Sequence, residues 1–196
     1  MAVRRATPED VPRIAAVLAD AFSTDPPMRW FLADSRRSVE LLRSYFVALV
    51  PRIHLRHGEV WISDDPLGAA GWIEPGGWPG PASEQLAMLP TLLRTFGRHP
   101  VRAIAGQQRL EGGHPSEPHW FLDYIGVEAG ARGAGTGSAL MRPVLERCDR
   151  ERVPAFLNAG SERSRDLYAR HGFEVTDRVE LPFGGPPLWR MWRDPR

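Results

Sequence analysis

The 196-residue chain contains no lysine, a single cysteine and no long apolar run. Without lysine it lacks the Gly-Lys-Ser/Thr sequence of a P-loop and the strand lysine of a protein kinase. Its one cysteine, Cys148, excludes an internal disulfide and a zinc site built from several cysteines, and favours a reducing cytoplasm. The apolar runs fall well short of the roughly 20 residues that span a membrane, so we expect no membrane segment.

Charge and composition exclude further classes of partner. The net charge of +1 gives no electrostatic reason to expect nucleic acid or an anionic membrane. The basic start of the chain is not followed by an apolar region, so no signal peptide is expected. No histidine and cysteine cluster has the spacing of metal ligands, and we expect no metal. The length favours a single domain over residues 1–196.

The apolar pattern predicts a mixture of helices and strands. Helical periodicity is found in six segments, 7–24, 38–49, 83–96, 101–110, 136–150 and 161–171. Strands are predicted at 2–5, 59–62, 69–73, 119–127, 154–158, 175–181 and 188–192. The first helix should stop at Asp25-Pro26-Pro27 and the second near Pro51, because proline does not continue a helix. Segment 74–81, rich in Gly, Pro and Trp, predicts a loop.

A glycine-rich loop between the strand 119–127 and the following helix carries the clearest chemical signal. Gly133, Gly135 and Gly137 alternate in it, beside Arg132. The first N–H groups of a helix have no internal partners and carry partial positive charge, so this arrangement forms an anion site. Glycine also lets the backbone approach a diphosphate closely.

Other interpretations of this loop have to be compared. A dinucleotide fingerprint requires an acidic residue about 20 residues further on, at the end of the next strand. Glu151 has about that spacing, but it precedes the strand 154–158, and the glycine spacing differs. The absence of lysine excludes the P-loop and the kinase loop. A tight turn without any ligand stays open from the loop alone.

A wider pattern resembles the GNAT superfamily of N-acetyltransferases. It consists of Val127, Arg132-x-x-Gly-x-Gly, a helix, a strand and then Tyr168-x-x-x-Gly172-Phe173. The resemblance extends over essentially the whole chain and is closest to puromycin N-acetyltransferase-like members, for example in Glu117–Leu122. It implies an α/β fold with one mixed, mostly antiparallel sheet of about six to seven strands. The sheet is expected to be splayed between strands 4 and 5 and flanked by helices.

The resemblance also implies acetyl-CoA as co-substrate and an acyltransferase activity. The pantetheine arm is expected between the splayed strands, against the backbone of Ile125, Gly126 and Val127. The diphosphate is expected on the turn and the helix start, formed by Arg132, Gly133, Ala134, Gly135, Thr136, Gly137 and Ser138. Ser164 occupies a position where the family often has asparagine, and it should keep a weaker contact to coenzyme A.

Two side chains are candidates for proton transfer. Direct attack by an amine needs a base for the acceptor and benefits from an acid for the departing thiolate. Tyr168 resembles the family tyrosine that acts as general acid; the alternative is packing against Phe173. Asp123 lies at a position from which many members supply a general base. Burying an acid unpaired is costly, so the alternative is a structural pair, with an arginine such as Arg165. The two sequence neighbours of Asp123 should face the other side of the sheet.

The acceptor is expected to be the primary amine of a small molecule, similar to an antibiotic or a metabolite. Trp30, Trp72 and Asn158 are candidate acceptor-binding residues, because they fall where the family builds its acceptor side. Puromycin-type members have a glutamate where this chain has Asn158, and asparagine cannot act as a base. Further pocket candidates are Trp78, Trp120, Glu74, Glu111, His114 and His119. A non-catalytic sensor of acyl-CoA or of an amine, and a protein or peptide N-acetyltransferase, are the alternatives. Both monomer and homodimer stay open.

Overall fold

The computed structural model describes residues 1–33 and 36–196. In these residues seven strands form one sheet, in the order β1-β2-β3-β4-β5-β7-β6. The strands are β1 (Val3–Arg5), β2 (Gly58–Ser63), β3 (Gly68–Ile73), β4 (Trp120–Val127), β5 (Ala155–Ala159), β6 (Glu174–Glu180) and β7 (Pro187–Arg193). Neighbouring strands are antiparallel except β4 and β5, which run parallel. The predicted mixed, mostly antiparallel sheet is confirmed.

Eight α-helices flank the sheet in the described part of the chain. They are α1 (Val11–Ser23), α2 (Pro26–Phe31), α3 (Ser38–Leu49), α4 (Leu55–His57), α5 (Ala82–Phe96), α6 (Pro100–Glu111), α7 (Thr136–Glu151) and α8 (Glu162–Arg170). None of the helices described is long and apolar enough to cross a membrane.

The two proline signals that were predicted to end helices have different outcomes. The first helix stops before Asp25 as predicted, but a new helix begins at once. Asp25 caps α2 by accepting a hydrogen bond from the backbone N–H of Met28, and Pro26 occupies its first position, where a missing N–H costs nothing. Pro51 does not end the next helical segment. The chain continues through a π-helical turn over Val50–His54 into α4.

The sheet separates two apolar layers. On one face, called the α7 face, Leu140 packs with Trp72 and with side chains of α8. On the other, called the α1 face, Leu18 and Phe46 pack against Tyr124. The amphipathic helices predicted from periodicity therefore bury their apolar stripes against opposite sides of one sheet.

A bulge interrupts β4 at Asp123. Gly71 of β3 pairs with Tyr124, and the next residue, Trp72, pairs with Leu122, so Asp123 is the extra residue. Leu122 packs on the α7 face and Tyr124 on the α1 face. The prediction that both neighbours of Asp123 face one side of the sheet is wrong, because a bulge shifts the alternation by one residue.

β4 and β5 separate immediately before this bulge. Their register contains three pairs, Trp120↔Ala155, Phe121↔Phe156 and Leu122↔Leu157. Beyond them, β4 continues to Val127 and β5 to Ala159 without further pairing between the two strands. The predicted splay is confirmed. We call this gap, between residues 123–127 of β4 and 158–159 of β5, the V.

Candidate active site

The turn before α7 has an open backbone. Gly133 and Gly135 have φ angles of 90° and 85°, a region that glycine occupies without steric cost. Gly135 is the N-cap of α7, and no side chain of the described residues caps the helix there. A Cβ added at either glycine would meet nothing within 4 Å. The first N–H groups of α7 thus face open space, which is the geometry of an anion site.

Side chains around this turn hold it to the rest of the protein. Arg132 Nε donates to the carbonyl of Val127 at 3.0 Å and so ties the turn to the end of β4. Ser138 Oγ lies 2.8 Å from His171 Nε2, and Thr136 is buried. The Thr136 hydroxyl donates to Met1 Sδ at 3.0 Å, so both hydroxyls bond to other segments and neither caps the helix start.

A cavity of about 540 Å³ adjoins the turn, between α7, the end of α8 and the C-terminus. Its lining includes Gly135, the four arginines Arg142, Arg170, Arg193 and Arg196, and the two acids Glu146 and Asp149, of which Asp149 is paired with Arg193. Guanidinium groups beside an open helix N-terminus add positive charge where the backbone already favours an anion. The arrangement is therefore suited to a ligand with several phosphates.

Asp123 forms a hydrogen bond with a histidine that sequence reasoning did not identify. His54 Nε2 lies 2.9 Å from Asp123 Oδ2; His54 is fully buried, whereas the Asp123 side chain keeps 27% exposure. The alternative prediction of an arginine partner for Asp123 is wrong. Arg165 instead pairs with Asp166 and lies over the ring of Trp189. Trp189 belongs to the α7 face, opposite the side on which Asp123 meets His54.

The only sequence signal for His54 was a histidine between the apolar residues Ile53 and Leu55. It lies 69 residues from Asp123, and a π-helical turn cannot be inferred from a 3.6-residue period. Tyr45 and Tyr124 complete the surroundings of the carboxylate. Burial raises the pKa of both tyrosines, and the negative charge of Asp123 adds to the increase.

Tyr168 lies in the core under α7, where its ring contacts Phe173 with centroids 6.1 Å apart. Burial raises its pKa, and the charge of Asp25 raises it further. Within the described residues the hydroxyl has no hydrogen-bond partner. Packing against Phe173 and a chemical role are therefore compatible, since the ring makes the contact and the hydroxyl stays unbonded.

Ser164 is committed to the cap of α8. Its backbone N–H donates to Ser161 Oγ at 3.2 Å, and its hydroxyl donates to the Ser161 carbonyl at 2.8 Å. Its Oγ also accepts from the Ser161 backbone N–H at 3.1 Å, so the hydroxyl has no proton left to donate to a ligand and at most one acceptor position.

Comparisons with known proteins agree with this geometry. Residues 79–173 match the model of the Acetyltransferase (GNAT) family. An uncharacterized N-acetyltransferase of Schizosaccharomyces pombe is 26% identical over 208 residues, with 100% of this chain and 84% of the relative covered. The crystal structure of a Corynebacterium glutamicum protein described as histone acetyltransferase HPA2 and related acetyltransferase is 27% identical. It has a TM-score of 0.76, with 99% of this chain and 96% of that chain covered. These comparisons identify a GNAT acetyltransferase domain in the chain, with the family match over residues 79–173.

With this domain and these relatives, the chain is an acetyl-CoA-dependent N-acetyltransferase, which confirms the predicted enzyme class. Arylalkylamine N-acetyltransferase 2 of Aedes aegypti, 14% identical with a TM-score of 0.62 over 100% and 99% of the two chains, shares the fold. The resemblance to puromycin N-acetyltransferase-like members stays a prediction.

The open features of this GNAT domain fit coenzyme A. The family uses acetyl-CoA as co-substrate, and two unpaired strand edges provide backbone donors and acceptors for the amides of a pantetheine arm. The uncapped start of α7 provides N–H groups for a diphosphate. No group of three or more His, Cys, Asp or Glu in residues 1–33 and 36–196 is arranged to hold a metal ion.

The predicted acceptor residues of the GNAT domain are separated by the sheet. Trp72 and Trp120 are buried in the core of the α7 face. The prediction that Trp72 contacts the acceptor is therefore corrected, because strand alternation directs its side chain into this core. Trp30 packs edge-on against Phe31, centroids 4.9 Å apart. Asn158 follows the last β4–β5 pair, and its Oδ1 is buried without a partner among the described residues.

An aromatic group lies beside Asp123, around His114. The ring of Trp78 stacks on His114 with centroids 5.3 Å apart, and Phe121 meets His114 edge-on at 4.9 Å. Burial, and then the charge of His119, lower the pKa of His114 to about 4, partly opposed by Asp123. The Nε2 atom of His114 is buried, with no partner in the described chain. A cavity of about 100 Å³ lies against these rings.

Proposed function

We propose that residues 1–196 act as one N-acetyltransferase domain, moving an acetyl group from acetyl-CoA to the primary amine of a small molecule by direct attack. The observation that carries this proposal is the meeting of three features at one gap in the sheet. These features are the V, the uncapped start of α7 and the Asp123–His54 pair at the bulge.

We assign coenzyme A binding mainly to backbone N–H and C=O groups rather than to side chains. On the V side, Ile125, Gly126 and Val127 have N–H and C=O groups that β5 does not pair, and these suit the pantetheine amides. The N–H groups over residues 132–138 receive the diphosphate. Ser164 contributes at most an acceptor oxygen, since its proton is used in the cap.

Asp123 is proposed to take the first proton from the acceptor ammonium. Its Oδ2 is held by His54, which fixes the orientation of the carboxylate, while 27% of the side chain stays exposed for the incoming amine. A base has to lie within hydrogen-bond reach of the proton that it abstracts. The bulge supports this role because it turns Asp123 out of the regular alternation of β4.

Tyr168 is proposed to protonate the departing sulfur. Burial and the charge of Asp25 raise its pKa above its ordinary value, so the hydroxyl carries its proton at neutral pH. The packing of its ring in the core fixes its position. A protonated phenol beside the thioester makes the sulfur a better leaving group.

The acceptor side supports a small aromatic or apolar amine. Trp78, His114 and Phe121 offer ring surfaces, and Asn158 Oδ1 is an unpartnered acceptor for an N–H group. Arg190 donates to the Arg109 carbonyl at 2.7 Å and so holds the end of α6 against the sheet. We expect the protein to act in the cytoplasm, as monomer or homodimer.

The test is the release of free thiol from acetyl-CoA in the presence of a panel of amines, with arylalkylamines, aliphatic amines and peptides compared at equal concentration. We expect turnover with small amines and a loss of about 100-fold or more in D123N, the range for removal of a general base. Turnover confined to peptides would instead assign a protein or peptide N-acetyltransferase. Coenzyme A binding without turnover on any amine would indicate a sensor.

A further inference from the structure

A second carboxylate lies at the other arm of the V. Asp25 follows α1 and caps α2, and its Oδ2 accepts a hydrogen bond from the N–H of Met28 at 3.2 Å. Within the part of the chain that the structure describes, this is the only hydrogen bond of the carboxylate, and no arginine or histidine forms an ion pair with it. A carboxylate withdrawn from water without a cation is costly, and such groups concentrate at functional sites.

The end of β5 fixes the position of Asp25. Its Oδ1 lies against Gly160, where an added Cβ would come within 2.7 Å of that oxygen and within 3.1 Å of Pro27. Gly160 directly follows β5. The absence of a side chain there lets the carboxylate reach the arm of the V just beyond Asn158.

The charge of Asp25 adds to the raised pKa of Tyr168 on α8, so the two groups lie within electrostatic range of each other. Gly160 and Pro27 bring no charge, and Arg29 on α2 is exposed. Burial raises the pKa of Asp25 to about 6, partly opposed by the Met28 N–H. At pH 7 the carboxylate is therefore mostly ionised, yet it is a stronger base than an ordinary aspartate.

The geometry points to Asp25 as a second proton acceptor for the acceptor nitrogen, which returns that proton to Tyr168. This inference rests on the proposed function. An ammonium substrate loses two protons on its way to the amide, and Asp123 takes one of them before attack. The other N–H bond breaks after the C–N bond has formed, and its proton goes to Asp25.

The proton that Asp25 takes up is balanced by the proton that Tyr168 gives to the departing sulfur. As the C–S bond breaks, the O–H bond of Tyr168 breaks and its proton forms the S–H bond of the thiol. Protonated Asp25 then gives its proton to the Tyr168 phenolate. In sum, one proton moves from nitrogen to sulfur, and the other leaves through Asp123 to solvent.

The variant D25N tests this role without removing the cap of α2, because asparagine caps helices as well as aspartate does. We expect kcat to fall about 100-fold or more, with unchanged affinity for coenzyme A. In the wild type, kcat should rise with pH through a midpoint near 6, where Asp25 ionises. That acid limb should disappear in D25N. D25S, which keeps a cap but no base, should lose as much activity, and D25E should recover part of it.

Wild-type kcat in D25N, or an acid limb that D25N leaves in place, overturns the assignment and leaves Asp25 as a capping residue. So does an equal loss in D25N and D25E at an unchanged pH profile. A wild-type protein that binds coenzyme A but releases no thiol with any amine overturns the proposed function as well. The wild-type measurement thus separates the two failures.

Discussion

The imidazole Nε2 of His54 lies 2.9 Å from Oδ2 of Asp123, across 69 residues of sequence. His54 is fully buried, its Nδ1 has no partner in the described chain, and its ring meets Tyr124 at 4.4 Å between centroids. The pair joins a π-helical turn to a strand bulge. Two local irregularities thus combine to orient one carboxylate at the open edge of β4.

The first prediction concerns this pair. H54F keeps an aromatic ring against Tyr124 but removes the hydrogen bond to Asp123. Loss of such a bond is worth roughly 1–3 kcal/mol, so we expect kcat to fall about 10- to 100-fold. The matched control is H57F, since His57 bonds to Glu84 and not to Asp123. Equal rates in the two variants would contradict an orienting role for His54. Steady-state kinetics with a saturating amine measure the effect.

The second prediction concerns Tyr168. Y168F keeps the ring contact with Phe173 and removes the hydroxyl. Because general acids contribute about 10²–10⁴ in rate, kcat should fall at least 100-fold. The dissociation constant for coenzyme A, measured by calorimetry, should not change. A variant that retains its rate would exclude Tyr168 as the acid.

The third prediction concerns the turn before α7. G135A places a Cβ on a backbone with φ of 85°, and a left-handed conformation costs a non-glycine residue roughly 1–2 kcal/mol. The resulting shift of the N–H groups should weaken coenzyme A binding about tenfold. G130A is the control, since Gly130 also has open space around its Cβ position but no positive φ. Equal binding by the two variants would argue against this anion site.

The fourth prediction concerns the pH dependence of stability. Burial lowers the pKa of His114 to about 4, whereas an unfolded histidine titrates near 6.5. Between these values the unfolded chain takes up a proton that the folded protein does not, so His114 makes stability fall as pH falls from about 6.5 to 4. The raised pKa of Asp25 has the opposite effect and makes stability rise as pH falls. This contribution is the same in the wild type and in a His114 variant.

H114F isolates this contribution. The difference in free energy of unfolding, wild type minus H114F, should decrease steadily from pH 6.5 to pH 4 in urea titrations. A difference that does not vary with pH would show that His114 is not the group responsible.

Periodicity and glycine chemistry predicted most of the elements, because these signals are local. α3 has the predicted bounds Ser38–Leu49, and β4 begins one residue after the predicted His119. The glycine-rich turn was recognisable because alternating glycines before a helix have few other uses. The end of the second helix could not be predicted, since a π-helical turn carries Pro51 without a break.

The candidate site depended on contacts that local pattern does not encode. Asp123 was visible as an acid in an apolar strand, but the bulge that turns it, and the His54 that holds it, result from pairing between distant segments. The sequence predicted Trp72 in a strand and Trp78 in a loop, and made both candidates for the acceptor side. Only the sheet placed Trp72 in the core and Trp78 beside His114.

By itself, the sequence predicted the order of the seven strands and of six of the eight helices, the glycine-rich turn before α7 and the resemblance to the GNAT family. The elements and the turn depend on residues close together in the chain, and the resemblance depends on the order of motifs between Val127 and Phe173. Tertiary structure decided which carboxylates border the V and which groups face them. Asp123 and Asp25 are 98 positions apart, and only the folding of α2 against the end of β5 brings a second carboxylate to the same gap. The charge environment of a group depends on its neighbours in space, and these are fixed only when the sheet has formed.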